Sequence, residues 1–178
     1  MFGTGFAFSG PSLVQSRLGL AGFPENGHGE LHYVAATATG EMQHWRRRPG
    51  GQWEFQSAFG SGVTSGPALI EGTYGAGDES GTGNFELCVV TGQRIQHWWR
   101  HNRSLGAWTL GAEFGDGAIR VVGLLQGTFG TNLEIIVQRS DVRYQHYWRD
   151  GAGWHAGAVV VSDRASEARS CPSPMPAS

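Results

Sequence analysis

A short motif recurs three times along the chain, and its spacing constrains the fold more than any other feature. Gln43-His44-Trp45 returns as Gln96-His97-Trp98-Trp99-Arg100 and again as Gln145-His146-Tyr147-Trp148-Arg149, at separations of 53 and 49 residues. Self-similarity at a near-fixed period marks a repeat architecture, in which each unit buries its apolar face against its neighbours. An apolar run precedes each copy: Leu31–Ala35, Phe85–Val90 and Leu133–Val137. After each copy comes a Trp, then a large apolar residue six positions on: Trp53/Phe59, Trp108/Phe114 and Trp154/Val160. A fourth segment opens each unit, as in Gly10–Gln15, Gly66–Glu71 and Val122–Gln126. The chain therefore reads as three units, at about residues 9–60, 65–115 and 119–161, each of four short segments. Gly, Asn and Asp clusters separate the segments, as between strands joined by hairpins. Thr39-Gly40-Glu41, Thr91-Gly92-Gln93 and Asp150-Gly151 are the clearest turn signals.

Composition agrees with an all-β reading. The 178 residues include 29 Gly, more than twice the usual share of about 7%. No every-third-residue period accompanies them, which excludes a collagen-like chain. With 39% hydrophobic residues and a net charge of −2, the chain is not disordered in composition. Every one of its 13 basic residues is Arg, and only Arg46-Arg47-Arg48 form a run, so a basic nucleic-acid footprint is missing. No apolar stretch approaches the length of a membrane span. The start, Met1–Phe8, lacks the basic and long apolar regions of a signal peptide. Cys88 lies in an apolar run and Cys171 in a Ser/Pro-rich stretch, a poor pairing for a disulfide. Residues 162–178 break the repeat and read as a disordered tail after the repeat region 1–161.

Three units of four strands fit two architectures, a β-propeller-type array of three four-stranded antiparallel blades or a β-trefoil. Alternation along a strand separates Ile95, His97 and Trp99 from Gln96, Trp98 and Arg100. Large side chains thus occupy both faces, as in a sheet packed between two others, and the neighbouring run Phe85–Val90 is apolar on both faces too. The pattern Asn84–Val90, Gln96–Arg100, Trp108 and Leu124–Gly130 resembles tandem repeats of bacterial, lectin-like β-propeller proteins over about residues 9–161. The two Gln-x-Trp triplets and the Gln-x-Tyr also resemble ricin-type trefoil lectins, without their Gly-x-Cys-Leu-Asp segment. Propellers have four or more blades. Three units therefore imply a fragment of a longer array, two chains that pair into a six-bladed ring, or the trefoil instead.

The repeated motif is the candidate ligand site: Gln43, His44, Trp45 and Arg47; Gln96, His97, Trp98 and Arg100; Gln145, His146, Tyr147 and Arg149. Aromatic rings stack on sugar faces, and Arg, His and Gln offer hydrogen bonds to hydroxyls. Repetition would add avidity. The same residues also suit packing between blades, with Arg100 and Arg149 paired to Glu86 and Glu134. His97 and His101 stand about 13 Å apart if both lie on one strand, too far to share a metal. Asp78–Asn84 carries oxygen ligands without the density of a calcium loop. No Gly-x-Ser-x-Gly elbow and no phosphate-binding Gly-x-x-x-x-Gly-Lys occurs. A residue repeated in every unit suits architecture better than a single asymmetric active site. The expected function is non-catalytic binding of carbohydrate, without cofactor or metal. The alternative is a structural or protein-interaction module of a larger extracellular protein, and an enzyme is the remaining possibility. The residues themselves name no compartment.

Overall fold

The computed structural model describes residues 10–17, 29–75, 83–102 and 106–162. These residues form three four-stranded antiparallel sheets. The first holds β1 (Ser12–Gln15), β2 (Leu31–Ala36), β3 (Met42–Arg47) and β4 (Trp53–Phe59). The second holds β5 (Ala68–Glu71), β6 (Phe85–Thr91), β7 (Arg94–Arg100) and β8 (Thr109–Phe114). The third holds β9 (Ala118–Gln126), β10 (Leu133–Arg139), β11 (Arg143–Asp150) and β12 (Gly153–Ser162). Each sheet pairs its strands in chain order. A trefoil would share strands of all units in one barrel. Here each sheet keeps its ladder to itself, so the units are blades. The last strand runs one residue into the segment read as tail, and residues 163–178 lie outside the described residues.

Turn chemistry fixes the hairpins. Thr91 faces Arg94, leaving Gly92-Gln93 as a two-residue loop in which Gly92 takes a φ of +62°, the conformation that such loops demand. Asp150 faces Gly153, and its Oδ1 accepts from the Ala152 and Gly153 amides at 2.8 and 3.1 Å. The Thr39-Gly40-Glu41 signal falls in a longer loop, closed by Thr37 N donating to Glu41 O at 2.7 Å.

The middle sheet is buried on both faces. Phe85, Leu87 and Val89 pack with Val34, Met42 and Trp108 against the first sheet. Cys88, Val90 and Ile95 pack with Ile135, Val137 and Tyr147 against the third. Fully burying one such side chain stabilises by about 1.5–3 kcal/mol. This two-sided burial is why β6 reads as an unbroken apolar run rather than an alternating one. The spacing of Trp and Phe has the same origin. Trp108 of the second sheet stacks on Phe59 of the first at 4.6 Å, and Trp154 of the third on Phe114 of the second at 4.2 Å.

Each sheet also carries a bulge opposite its histidine. His97 faces Ala112 and Trp98 faces Leu110, so Gly111 is the extra residue of β8. Gly157 lies in the irregular stretch of β12 opposite Gln145–Tyr147. A Cβ on Gly111 would sit 3.2 Å from His97 Nδ1, and one on Gly157 would run into His146 Nδ1. Glycine lets the outer strand lie against the imidazole and fix its plane.

Candidate functional site

The register places equivalent residues at one height in every sheet. Arg47, Arg100 and Arg149 stand opposite Leu31, Phe85 and Leu133, the first residues of the second strands. One step along, Glu86 faces Trp99 and Glu134 faces Trp148, while His32 faces Arg46 in the first sheet. Residues directly opposite share a face. Glu, His and Trp therefore look forward to the following sheet, and Arg looks back to the preceding one. A site at a junction is assembled from two sheets.

Between the second and third sheets this gives a cleft of about 150 Å³ lined by Tyr74, Asn84, Glu86, His97, Trp99 and Arg149. Such a cleft is smaller than the roughly 300 Å³ at which drug-sized pockets begin. Glu86 Oε2 lies 2.7 Å from His97 Nε2, and both side chains are only 3% exposed. The carboxylate can only accept, so the imidazole proton sits on Nε2. The Arg149 guanidinium lies 5.5 Å from the centre of the Tyr74 ring, a cation–π distance. Asn84 also lines the cleft, and its Oδ1 is buried with no hydrogen-bond partner among the described residues.

The equivalent junction between the first and second sheets is closed by its own side chains. Arg100 Nη1 donates to His44 Nδ1 at 2.6 Å, and Trp108 Nε1 donates to the same atom at 3.3 Å. His44 Nδ1 is therefore the acceptor, and its proton sits on Nε2, 2.9 Å from His32 Nδ1. His32 Nε2 in turn lies 3.5 Å from Glu30 Oε2. Burial and then the Arg100 charge push the His44 pKa down to about 2. The His32 pKa is lowered too, chiefly by burial, against the pull of Glu30. Here His32 replaces the glutamate and Arg46 the tryptophan of the second sheet, and Arg46 pairs with Glu54 at 2.8 Å.

The repeated motif is thus divided between two roles. Gln43 and Gln96 accept from the indoles of Trp45 and Trp98 at 3.3 and 3.0 Å. Gln145 donates to Gly157 O at 2.6 Å. Trp98 and Tyr147 belong to the cores between sheets, and Trp45 lies edge-on to Phe55 at 5.4 Å. Trp98 and Tyr147 thus pack between sheets, while these contacts of Gln43, Trp45, Gln96 and Gln145 stay within their own sheets. His97 and Arg149 meet in the cleft, whereas His44 and Arg100 fill the closed junction. His146 pairs with Glu134 at 2.6 Å on the forward face of the third sheet, and Arg47 is exposed on the first. The expected pairing of Arg100 and Arg149 with Glu86 and Glu134 does not form, because alternation sends them to opposite faces. The glutamates pair with His97 and His146 instead. Tyr74, Asn84, Glu86 and Trp99 complete the cleft; Trp99 stands inside the motif but outside the candidate set, and the other three lie outside the motif. The cross-strand partnership of Glu86 with Trp99 was the available signal. Among the described residues no group of three His, Cys, Asp or Glu stands close enough to hold a metal. The Asp78–Asn84 loop lies mostly outside the described residues. Among the described residues, no helix is long and apolar enough to cross a membrane.

Twelve strands in three radially stacked four-stranded sheets, packed face to face with clefts at the junctions, define a β-propeller array. No protein-family model and no curated protein matches the sequence. Solved structures do. The Aleuria aurantia lectin, described as a six-bladed β-propeller with a novel mode of fucose recognition, is similar with a TM-score of 0.59 and 16% identity, covering 89% of this chain and 47% of that one. AofleA from Arthrobotrys oligospora is similar with a TM-score of 0.54 and 18% identity, covering 85% of this chain and 41% of that one. The chain spans about half the length of these proteins or less.

Proposed function

We propose that the chain is a non-catalytic carbohydrate-binding module whose site is the cleft between the second and third sheets. The observation that carries this reading is the meeting of Glu86, His97 and Trp99 of one sheet with Arg149 of the next in a cavity of about 150 Å³. The Trp99 ring offers an apolar surface to the C–H face of a sugar. Arg149 donates to hydroxyls, Glu86 accepts, and Asn84 Oδ1 accepts from a further hydroxyl. The Glu86–His97 hydrogen bond holds the carboxylate in place before the ligand arrives. Among the described residues that line the cleft Glu86 is the one carboxylate, whereas glycoside hydrolysis usually asks for a pair. The fold shared with a fucose-recognising fungal lectin supports the class of ligand and makes a 6-deoxyhexose the first probe.

The test is calorimetric titration with methyl α-L-fucoside and a panel of other methyl glycosides. One of them is expected to bind, and Trp99→Ala and Arg149→Ala are each expected to abolish binding while the far-ultraviolet circular dichroism stays unchanged. Silence across the panel, or binding that survives both substitutions, contradicts the proposal.

A further inference from the structure

The cleft at the second junction joins a forward half, Glu-His-Trp, to a backward half, Arg. The third sheet carries a complete forward half with nothing set against it among the described residues. Glu134 pairs with His146 at 2.6 Å, and Trp148 stands opposite Glu134. Trp148 is braced by His155, stacked on it at 4.3 Å and itself held by Asp150 at 3.0 Å. Glu134 and His146 are 26% and 29% exposed, against 3% for both Glu86 and His97.

The first sheet carries the complementary backward half. Arg47 occupies the register position of Arg100 and Arg149. Its Nε donates to Gly51 O at 3.0 Å, just as Arg100 Nε donates to Gly106 O at 2.8 Å. Arg47 is exposed and lines an open cleft of about 250 Å³ with Gln15 and Leu31. The first sheet thus presents a cation where the forward face of the third presents a carboxylate.

We infer that two copies of the chain join head to tail, the forward face of the third sheet against the backward face of the first, into a ring of six sheets. Each junction then builds a further sugar cleft from Glu134, His146 and Trp148 of one copy and Arg47 of the other. This composite site rests on the carbohydrate reading above; the junction itself does not. A head-to-tail contact either closes into a ring or runs on into a filament. Closure at two copies is drawn from the six-bladed fold to which the chain is similar, since two three-sheet arrays make six sheets. The junction between the first and second sheets shows that this geometry accepts a buried arginine, since Arg100 is 5% exposed there.

Sedimentation velocity on the 178-residue chain tests the junction. The expected mass is twice the 19.1 kDa of one chain. Arg47→Glu sets two carboxylates face to face and is expected to raise the dimer Kd by roughly 30-fold or more. Adding Glu134→Arg to it restores the pair with reversed polarity and is expected to restore the dimer. Titration with methyl α-L-fucoside should give one more bound sugar per chain in the dimer than in Arg47→Glu. A monomeric wild-type chain, an open ladder of oligomers, or a dimer indifferent to Arg47→Glu each overturns the inference. Sugar binding by a monomer refutes the junction alone. A dimer that obeys the charge swap but binds no sugar supports the junction and refutes the carbohydrate reading.

Discussion

Acid should destabilise the fold through His44 as the pH falls below 6.5. His44 is fully buried, and its Nδ1 faces the Arg100 guanidinium and the Trp108 N–H. His32, Arg46 and Glu30 are the other charged or titratable groups around it, and the Arg100, His32 and Arg46 charges all oppose protonation of His44. The folded-state pKa of about 2 therefore lies far below the 6.5 of an exposed imidazole. Above pH 6.5 both states are neutral at this site and nothing is gained or lost. Below it the unfolded chain binds a proton that the folded chain refuses, so stability falls as pH falls. Integrating this one group from pH 7.5 to 5.0 gives a loss of about 2 kcal/mol. The lowered His32 pKa works in the same direction. With a urea m-value of roughly 2 kcal/mol/M, the unfolding midpoint should drop by about 1 M. Urea melts followed by tryptophan fluorescence at pH 7.5 and 5.0 measure it. His44→Gln keeps an acceptor for Arg100 and is expected to remove this part of the pH dependence. A midpoint that does not move, or an equal shift in His44→Gln, refutes the reasoning.

Three further outcomes follow from packing and backbone geometry. Trp108→Ala removes the partner of Phe59 and a donor to His44, and should cost about 3–5 kcal/mol in urea melts. Gly157→Ala forces a methyl into the space of the His146 ring; it should displace the imidazole from Glu134, visible as a change in the His146 proton shifts, with the fold retained. Val142 holds a φ of +58° and is half exposed. A β-branched residue in that conformation is strained, so Val142→Gly should raise stability by roughly 1 kcal/mol, read as a higher melting temperature.

Much of the fold was legible in the sequence because a propeller repeats its constraints. The Trp-to-Phe spacing records stacking between successive sheets, and the apolar run Phe85–Val90 records burial on both faces. The site was less legible. Gln96, His97, Trp98 and Arg100 are contiguous in the chain, yet alternation sends His97 forward and Trp98 and Arg100 back. Contiguity in sequence became separation in space. Glu86 and Trp99, one register step from Arg100, face Arg149 from another repeat. No local motif joins residues 86 and 149. The replacement of glutamate by His32 and of tryptophan by Arg46 has its meaning only once the closed junction is seen.

The central claim is that the cleft between the second and third sheets holds a sugar. Tryptophan side-chain resonances of the ¹⁵N-labelled chain, assigned by single Trp→Phe variants, test it directly during titration with methyl α-L-fucoside. The account predicts a saturable shift of the Trp99 indole and of the Arg149 Nε resonance. Trp45 and Trp98, whose indoles are engaged by Gln43 and Gln96, should stay unmoved. Shifts at Trp45 or Trp98 with Trp99 and Arg149 unmoved would contradict it.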